Sequence, residues 1–301
     1  SEMCIRDRAG AAGVYADNSI GNFTNSGSIS ASANANATGG WAGAAGVSAD
    51  NSIGNFTNSG SISATAKGYY ARAFGVYADS IGNFTNSGSI SANANSTGGH
   101  AEVYGVYATD IGNFTNNGSI SAIASATGNY AYAEGVWTDD IGNFTNTGSI
   151  SATANATGGD AYAYGVSADN SIGNFTNSGS ISANSTGGHA EVYGVYATDI
   201  GNFTNNGSIS AIASATGNYA YAEGVWTDDI GNFTNTGSIS ATANATGNYA
   251  WAEGVYAWGG SIGNFTNSGS ISATATGNYA EAAGVSADNS IGNFTNSGSI
   301  S

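Results

Sequence analysis

The chain writes one phrase ten times, and this repetition limits what it can fold into more than any other feature. Each copy is a variant of Ile-Gly-Asn-Phe-Thr-Asn-Ser-Gly-Ser-Ile-Ser, first met at residues 20–30. The isoleucines that open the copies are Ile20, Ile53, Ile81, Ile111, Ile141, Ile172, Ile200, Ile230, Ile262 and Ile291, spaced 28–33 residues apart. A period of about thirty residues marks stacked units that cannot bury their apolar face singly. A second landmark, Gly-Val followed by Tyr, Trp or Ser, precedes each copy, as at Gly13-Val14-Tyr15, Gly135-Val136-Trp137 and Gly284-Val285-Ser286. Length varies between the landmarks, where turns belong. Residues 94–158 recur unchanged at 183–247, three units later, by a recent duplication or an assembly error.

Within a unit the apolar period is two. Phe144, Asn146, Gly148, Ile150, Ala152, Ala154 and Ala156 form one row; Thr145, Thr147, Ser149, Ser151, Thr153, Asn155 and Thr157 form the other. One row is apolar or small apart from its asparagine, the other hydroxyl and amide, which is the alternation of strands with one buried face. Ser, Thr, Asn and Gly are poor helix formers, and the apolar residues lie on no helical stripe. Corners are expected at Asn146-Thr147-Gly148, at Thr157-Gly158-Gly159 and at Thr138-Asp139-Asp140, leaving strands near 130–137, 141–145 and 149–155. The expected fold is all-β: a parallel β-solenoid, or β-helix, of about ten coils of roughly 30 residues with three short strands per coil. Helical repeats fail on period, and leucine-rich repeats fail because the chain contains no leucine. Coils stacked about 4.8 Å apart place like residues over one another. Phenylalanines such as Phe23, Phe56 and Phe84 then form one stack, and Asn25, Asn58 and Asn86 an inward amide ladder.

Domain organisation follows the repeat. Residues 9–301 read as one solenoid domain, a fragment of a longer chain, because both ends fall in mid-repeat. Residues 1–8 match nothing in the repeats and resemble a translated sequencing adapter of the kind found in metagenomic assemblies. They carry Cys4, the only cysteine, so no intrachain disulfide is possible.

Charge and spacing narrow the chemistry. Twenty acids against four bases give a net charge of -16, which disfavours nucleic acid and an anionic membrane surface. No apolar run is long enough to insert in a membrane as a helix. Acids gather before nearly every repeat isoleucine, from Asp17 and Asp50 to Asp228, Asp229 and Asp288. No cofactor is expected; weak calcium stabilisation at these acidic turns is the one metal chemistry they suggest. His100 and His189 are duplicates without a partner ligand and read as exposed strand residues. An active site departs from its repeat, and no departure is visible, so a non-enzymatic chain is expected.

Two surfaces are candidates for binding. Tyr130, Tyr132 and Glu134 share a strand face, read as the outer one, and with Trp137 make an aromatic surface that recurs at Tyr219, Tyr221 and Trp226 and at Trp251. Ser149, Ser151 and Thr153 with their equivalents present hydroxyls about 7 Å apart along the strand and about 4.8 Å between coils. Such arrays resemble those of ice-binding solenoids, although Ile123, Ile212 and asparagines interrupt the rows.

The wording of the repeat, NSGSISA and NTGSISATA with YGVYA or EGVWT between, resembles the passenger repeats of bacterial autotransporters and related large surface adhesins over residues 9–301. The resemblance implies a secreted β-helix at the bacterial cell surface, serving as an adhesin or stalk. It also implies contact with a host cell or glycan surface, or self-association.

Overall fold

The computed structural model describes residues 8–35 and 39–301. Of the segment expected to be non-native, residues 1–7, with Cys4, lie outside the described residues; Arg8 opens the first strand, Arg8–Ala16. The fold is a parallel β-solenoid of ten coils, and the described residues contain no helix. Every strand pairs in parallel with its own repeat in the next coil, so Ile111, Ile141 and Ile172 lie side by side, as do Phe114, Phe144 and Phe175. The thirty-residue period is one turn of the solenoid.

Coil five shows why the sequence folds this way. Its strands are Tyr130–Asn146 and Ser149–Ala156. The corner at 146–148 is tight because Gly148 lies against the coil beneath: a Cβ there would come within 2.0 Å of the Gly118 carbonyl oxygen. The corner expected at 157–159 is also present. Through the third expected corner, 138–140, the strand bends without interruption, so the two strands expected on either side form one. The buried Thr138 hydroxyl donates to the Thr109 carbonyl at 2.8 Å and the Asp140 carbonyl at 3.0 Å, satisfying backbone groups that the bend would otherwise strand. An extra residue in coil six shifts the register between Thr138 and Asp140, so this bend also absorbs length variation.

The interior has two zones. In one, Val136, Ile141, Phe144 and Ile150 pack together with their copies. The phenylalanines form a continuous stack with ring centroids 4.7–5.0 Å apart. The other zone is nearly all alanine: Ala131 and Ala133 face Ala152 and Ala154. Small side chains suit the narrow space between these two strands, in keeping with close packing.

From Asn58 to Asn267 the corner asparagines are polar yet fully buried. Each donates its amide to the next in line, Asn116 to Asn146 and Asn146 to Asn177, both at 2.8 Å. Asn146 Nδ2 also reaches the Ser180 and Gly148 carbonyls at 3.2 and 3.3 Å. An exposed second ladder runs beside it with opposite polarity: Asn143 donates back to Asn113 at 2.9 Å. These amides satisfy one another, which is what permits burial of an uncharged polar column.

Candidate functional site

The aromatic surface is positioned by a second glycine. Gly135 and Val136 both turn inward, and a Cβ on Gly135 would meet Ile150 Cγ2 at 2.4 Å. Two successive inward residues interrupt the alternation and fold the outer face back on itself. The residues immediately before and immediately after such a Gly-Val pair converge across the bend: Tyr104 and Tyr107 meet edge to face at 5.1 Å, Tyr193 and Tyr196 at 5.5 Å. A groove therefore runs along the outside of the solenoid.

Four outer positions line this flank, and the register gives their order through coils four to nine. The first row is His100, Tyr130, Asp160, His189, Tyr219, Tyr249. The second is Glu102, Tyr132, Tyr162, Glu191, Tyr221, Trp251; the third Tyr104, Glu134, Tyr164, Tyr193, Glu223, Glu253. The fourth is Tyr107, Trp137, Ser167, Tyr196, Trp226, Tyr256. Aromatics stack between coils, as in Tyr107 on Trp137 at 4.3 Å and Tyr196 on Trp226 at 4.4 Å.

Ser167 is a gap in the fourth row, and beside it the groove opens to about 630 Å³. Tyr132, Tyr221, Trp226 and Trp251, expected from sequence, line this opening. Tyr130 and Tyr219 stand in the outermost row, and Trp137 stacks on Tyr107 outside the opening. Sequence reasoning missed Tyr164, Tyr193, Tyr196, Glu191 and Glu223, which also line it. Their signal was present: each occupies the same offset from its Gly-Val pair as a residue that was singled out.

Glu134 faces outward as expected, yet it is only 1 % exposed, as Glu223 and Glu253 are 6 % and 3 %. The re-entrant bend places all three on the groove floor beneath aromatic rings. Burial, above all other causes, holds the Glu134 and Glu223 carboxyls well above the usual carboxylate range. One oxygen of each of the three has no hydrogen-bond partner. Glu134 accepts the Tyr132 hydroxyl through its other oxygen. His189 departs from the exposed position expected of it. It is half-buried, with rings of Tyr162, Tyr219 and Tyr221 within 5.8–5.9 Å of its own and Nε2 3.8 Å from Glu191.

Ser149, Ser151 and Thr153 lie on the opposite strand of the coil, half-buried and facing out. Ser119, Ser149 and Ser180 are in register, as are Ser121, Ser151 and Ser182. The third row reads Ile123, Thr153, Asn184, Ile212. At the acidic turns, Asp140 accepts the Ser171 hydroxyl at 2.5 Å and Asp229 accepts the Ser261 amide at 2.8 Å. Among the described residues no three His, Cys, Asp or Glu side chains gather in a way that would hold a metal ion.

Comparison of the chain with protein-family profiles, with characterised proteins and with solved structures finds no match.

Proposed function

We propose that the chain is a non-catalytic scaffold segment of a secreted bacterial surface protein, an adhesin-like or passenger-like stalk whose aromatic flank makes its contacts. One observation carries this reading. The Ile-Gly-Asn-Phe-Thr-Asn stretch and the Ser-Ile-Ser that follows its corner repeat with little change, while the flank built on the Gly-Val bend varies from coil to coil and keeps large aromatics at the surface. Tyr219, Tyr249 and Tyr279 form an exposed ladder with centroids 5.2–5.4 Å apart, Tyr249 being 45 % and Tyr279 63 % exposed. Flat aromatic faces of this kind suit stacking on sugar rings or on partner side chains. The partner is a host-cell or glycan surface, or a second copy of the chain.

The test is binding of the labelled chain to immobilised glycans and to cells, alongside a Tyr219→Ser, Tyr249→Ser, Tyr279→Ser variant. Binding that the triple variant loses supports the reading; binding that it retains in full places the contact elsewhere. Ice binding is the second reading, favoured by the two serine rows in register and opposed by the mixed third row. Thermal hysteresis with faceted ice crystals at micromolar protein would establish it in place of the first.

A further inference from the structure

The duplicated segments place identical side chains in two different surroundings, and the comparison shows what the open groove lacks. In the first copy, Glu102 and Tyr104 meet Arg72 from the preceding coil. The Arg72 guanidinium pairs with Glu102 at 3.0 Å and lies 4.7 Å from the Phe74 ring centre and 5.6 Å from that of Tyr104. Phe74 and Tyr104 are stacked at 5.3 Å. In the second copy the corresponding residues are Glu191 and Tyr193, and the preceding coil supplies Tyr164, stacked on Tyr193 at 5.1 Å. The aromatic pair and the carboxylate are reproduced, but Tyr162 stands where Arg72 stood.

The carboxylate on the far side differs as well. Glu134 accepts the Tyr132 hydroxyl, whereas its duplicate Glu223 has no tyrosine bonded to it among the described residues and carries an unpartnered, buried Oε2 on the groove floor. Glu191 is held by the Tyr193 hydroxyl at 2.8 Å, and among the described residues its one cationic neighbour is His189 at 3.8 Å. Two carboxylates, a tyrosine pair and the stacked Tyr196 and Trp226 thus surround a space to which no fixed positive charge is supplied among the described residues.

We propose that this groove is a binding site for one guanidinium-type organic cation, seated between Glu191 and Glu223 against the faces of Tyr193, Tyr196 and Trp226. A planar guanidinium gains from both elements at once, donating to carboxylates and lying on aromatic faces. The first copy already holds such a group, supplied by the chain itself. The cation comes either from an arginine side chain of a partner or from a free guanidino compound. The site goes beyond the scaffold reading and is independent of it: failure of the Tyr219, Tyr249, Tyr279 experiment leaves it standing, and failure of guanidinium binding leaves the scaffold standing.

The experiment is calorimetric titration of the full chain with butylguanidinium and, separately, with a blocked Gly-Arg-Gly peptide, tryptophan fluorescence being followed in parallel. One saturable site is expected, weakened at least about tenfold by Glu191→Gln or Glu223→Gln. Glu102→Gln, in the closed copy, leaves this site unchanged. Tighter binding of the peptide identifies an arginine side chain as the source; equal or weaker binding identifies a free guanidino compound. Absence of saturable binding, or a response to Glu191→Gln and Glu223→Gln of less than twofold, overturns the proposal. Circular dichroism of each variant, which removes a buried or paired charge without adding volume, separates lost binding from lost fold.

Discussion

Asn146→Ala tests the inward amide ladder, and the structure sets its cost. The wild-type side chain accepts from Asn116 at 2.8 Å and donates to Asn177 at 2.8 Å, Ser180 at 3.2 Å and Gly148 at 3.3 Å. Truncation leaves Asn177 Oδ1 without its ladder donor in a fully buried position, at about 1–3 kcal/mol, and removes further bonds worth about 0.5–1 kcal/mol each. The expected loss is about 3–4 kcal/mol. Asn146→Asp keeps the shape but aims a carboxylate at three oxygen acceptors, so at neutral pH it should cost more than alanine. Protonation restores one donor. The folded-state pKa of that aspartate is therefore raised, its stability is highest in acid, and it is lost as pH rises through the folded value. Thr147→Ala, one residue away and exposed, is the control at about 0.5 kcal/mol or less. Urea unfolding followed by circular dichroism at pH 4 and pH 7 measures all three. An aspartate variant as stable as wild type at pH 7, or an alanine variant within about 1 kcal/mol of the Thr147 control, would refute the ladder as a stabilising element.

Other consequences follow from the same geometry. Gly148→Ala forces a Cβ against the Gly118 carbonyl and should cost about 3 kcal/mol or more in the same assay, whereas Gly158→Ala, with open space around it but a φ of +82°, should cost about 1 kcal/mol. Glu253 lies on the groove floor beside Glu223; burial, then Asp288 and Glu281, push its carboxyl from 4.5 to about 7 against the opposing bond from the Trp251 indole. The folded chain then holds its proton longer than the unfolded one, so stability falls as pH rises from about 4.5 to about 7. The shift corresponds to about 3 kcal/mol at face value and about 1–2 kcal/mol after solvent screening at the groove mouth, and Glu253→Gln should lessen the fall in melting temperature across that window, the raised Glu134 and Glu223 carboxyls keeping the remainder. Calcium and chelator should give coincident thermal melts, because acids such as Asp140 and Asp229 already accept hydrogen bonds and no three potential ligands gather among the described residues; a rise of several degrees with calcium would show that the turns bind it.

The parts of the fold that depend on one coil resembling the next were legible in the sequence. Phe144 and Asn146 recur at one position in all ten units, so stacking them required only the period and the alternation. The continuous strand through 138–140 was not legible, because turn-forming aspartates signal a break and the Thr138 hydroxyl that prevents it acts on a carbonyl of another coil. The burial of Glu134 was hidden for a related reason. Alternation places it outside, correctly, but the inward pair Gly135 and Val136 closes the outer face over it. The groove at Glu191 and Glu223 was least visible of all: it arises from which coil precedes each duplicate, a relation between repeats that no single repeat contains.

The account rests on one repeat being one coil, and distances between spin labels on a single corner test that directly. Ser59, Asn117, Ser178 and Ser268 are exposed at the same corner of coils two, four, six and nine. With Cys4 replaced and cysteine introduced pairwise, label separations from position 59 should grow by about 4.8 Å per coil, to about 19 Å at 178 and about 34 Å at 268. Separations that follow coil number in this way are the predicted result. Broad distributions, or a 59–268 distance no longer than the 59–178 distance, would contradict the stacked solenoid.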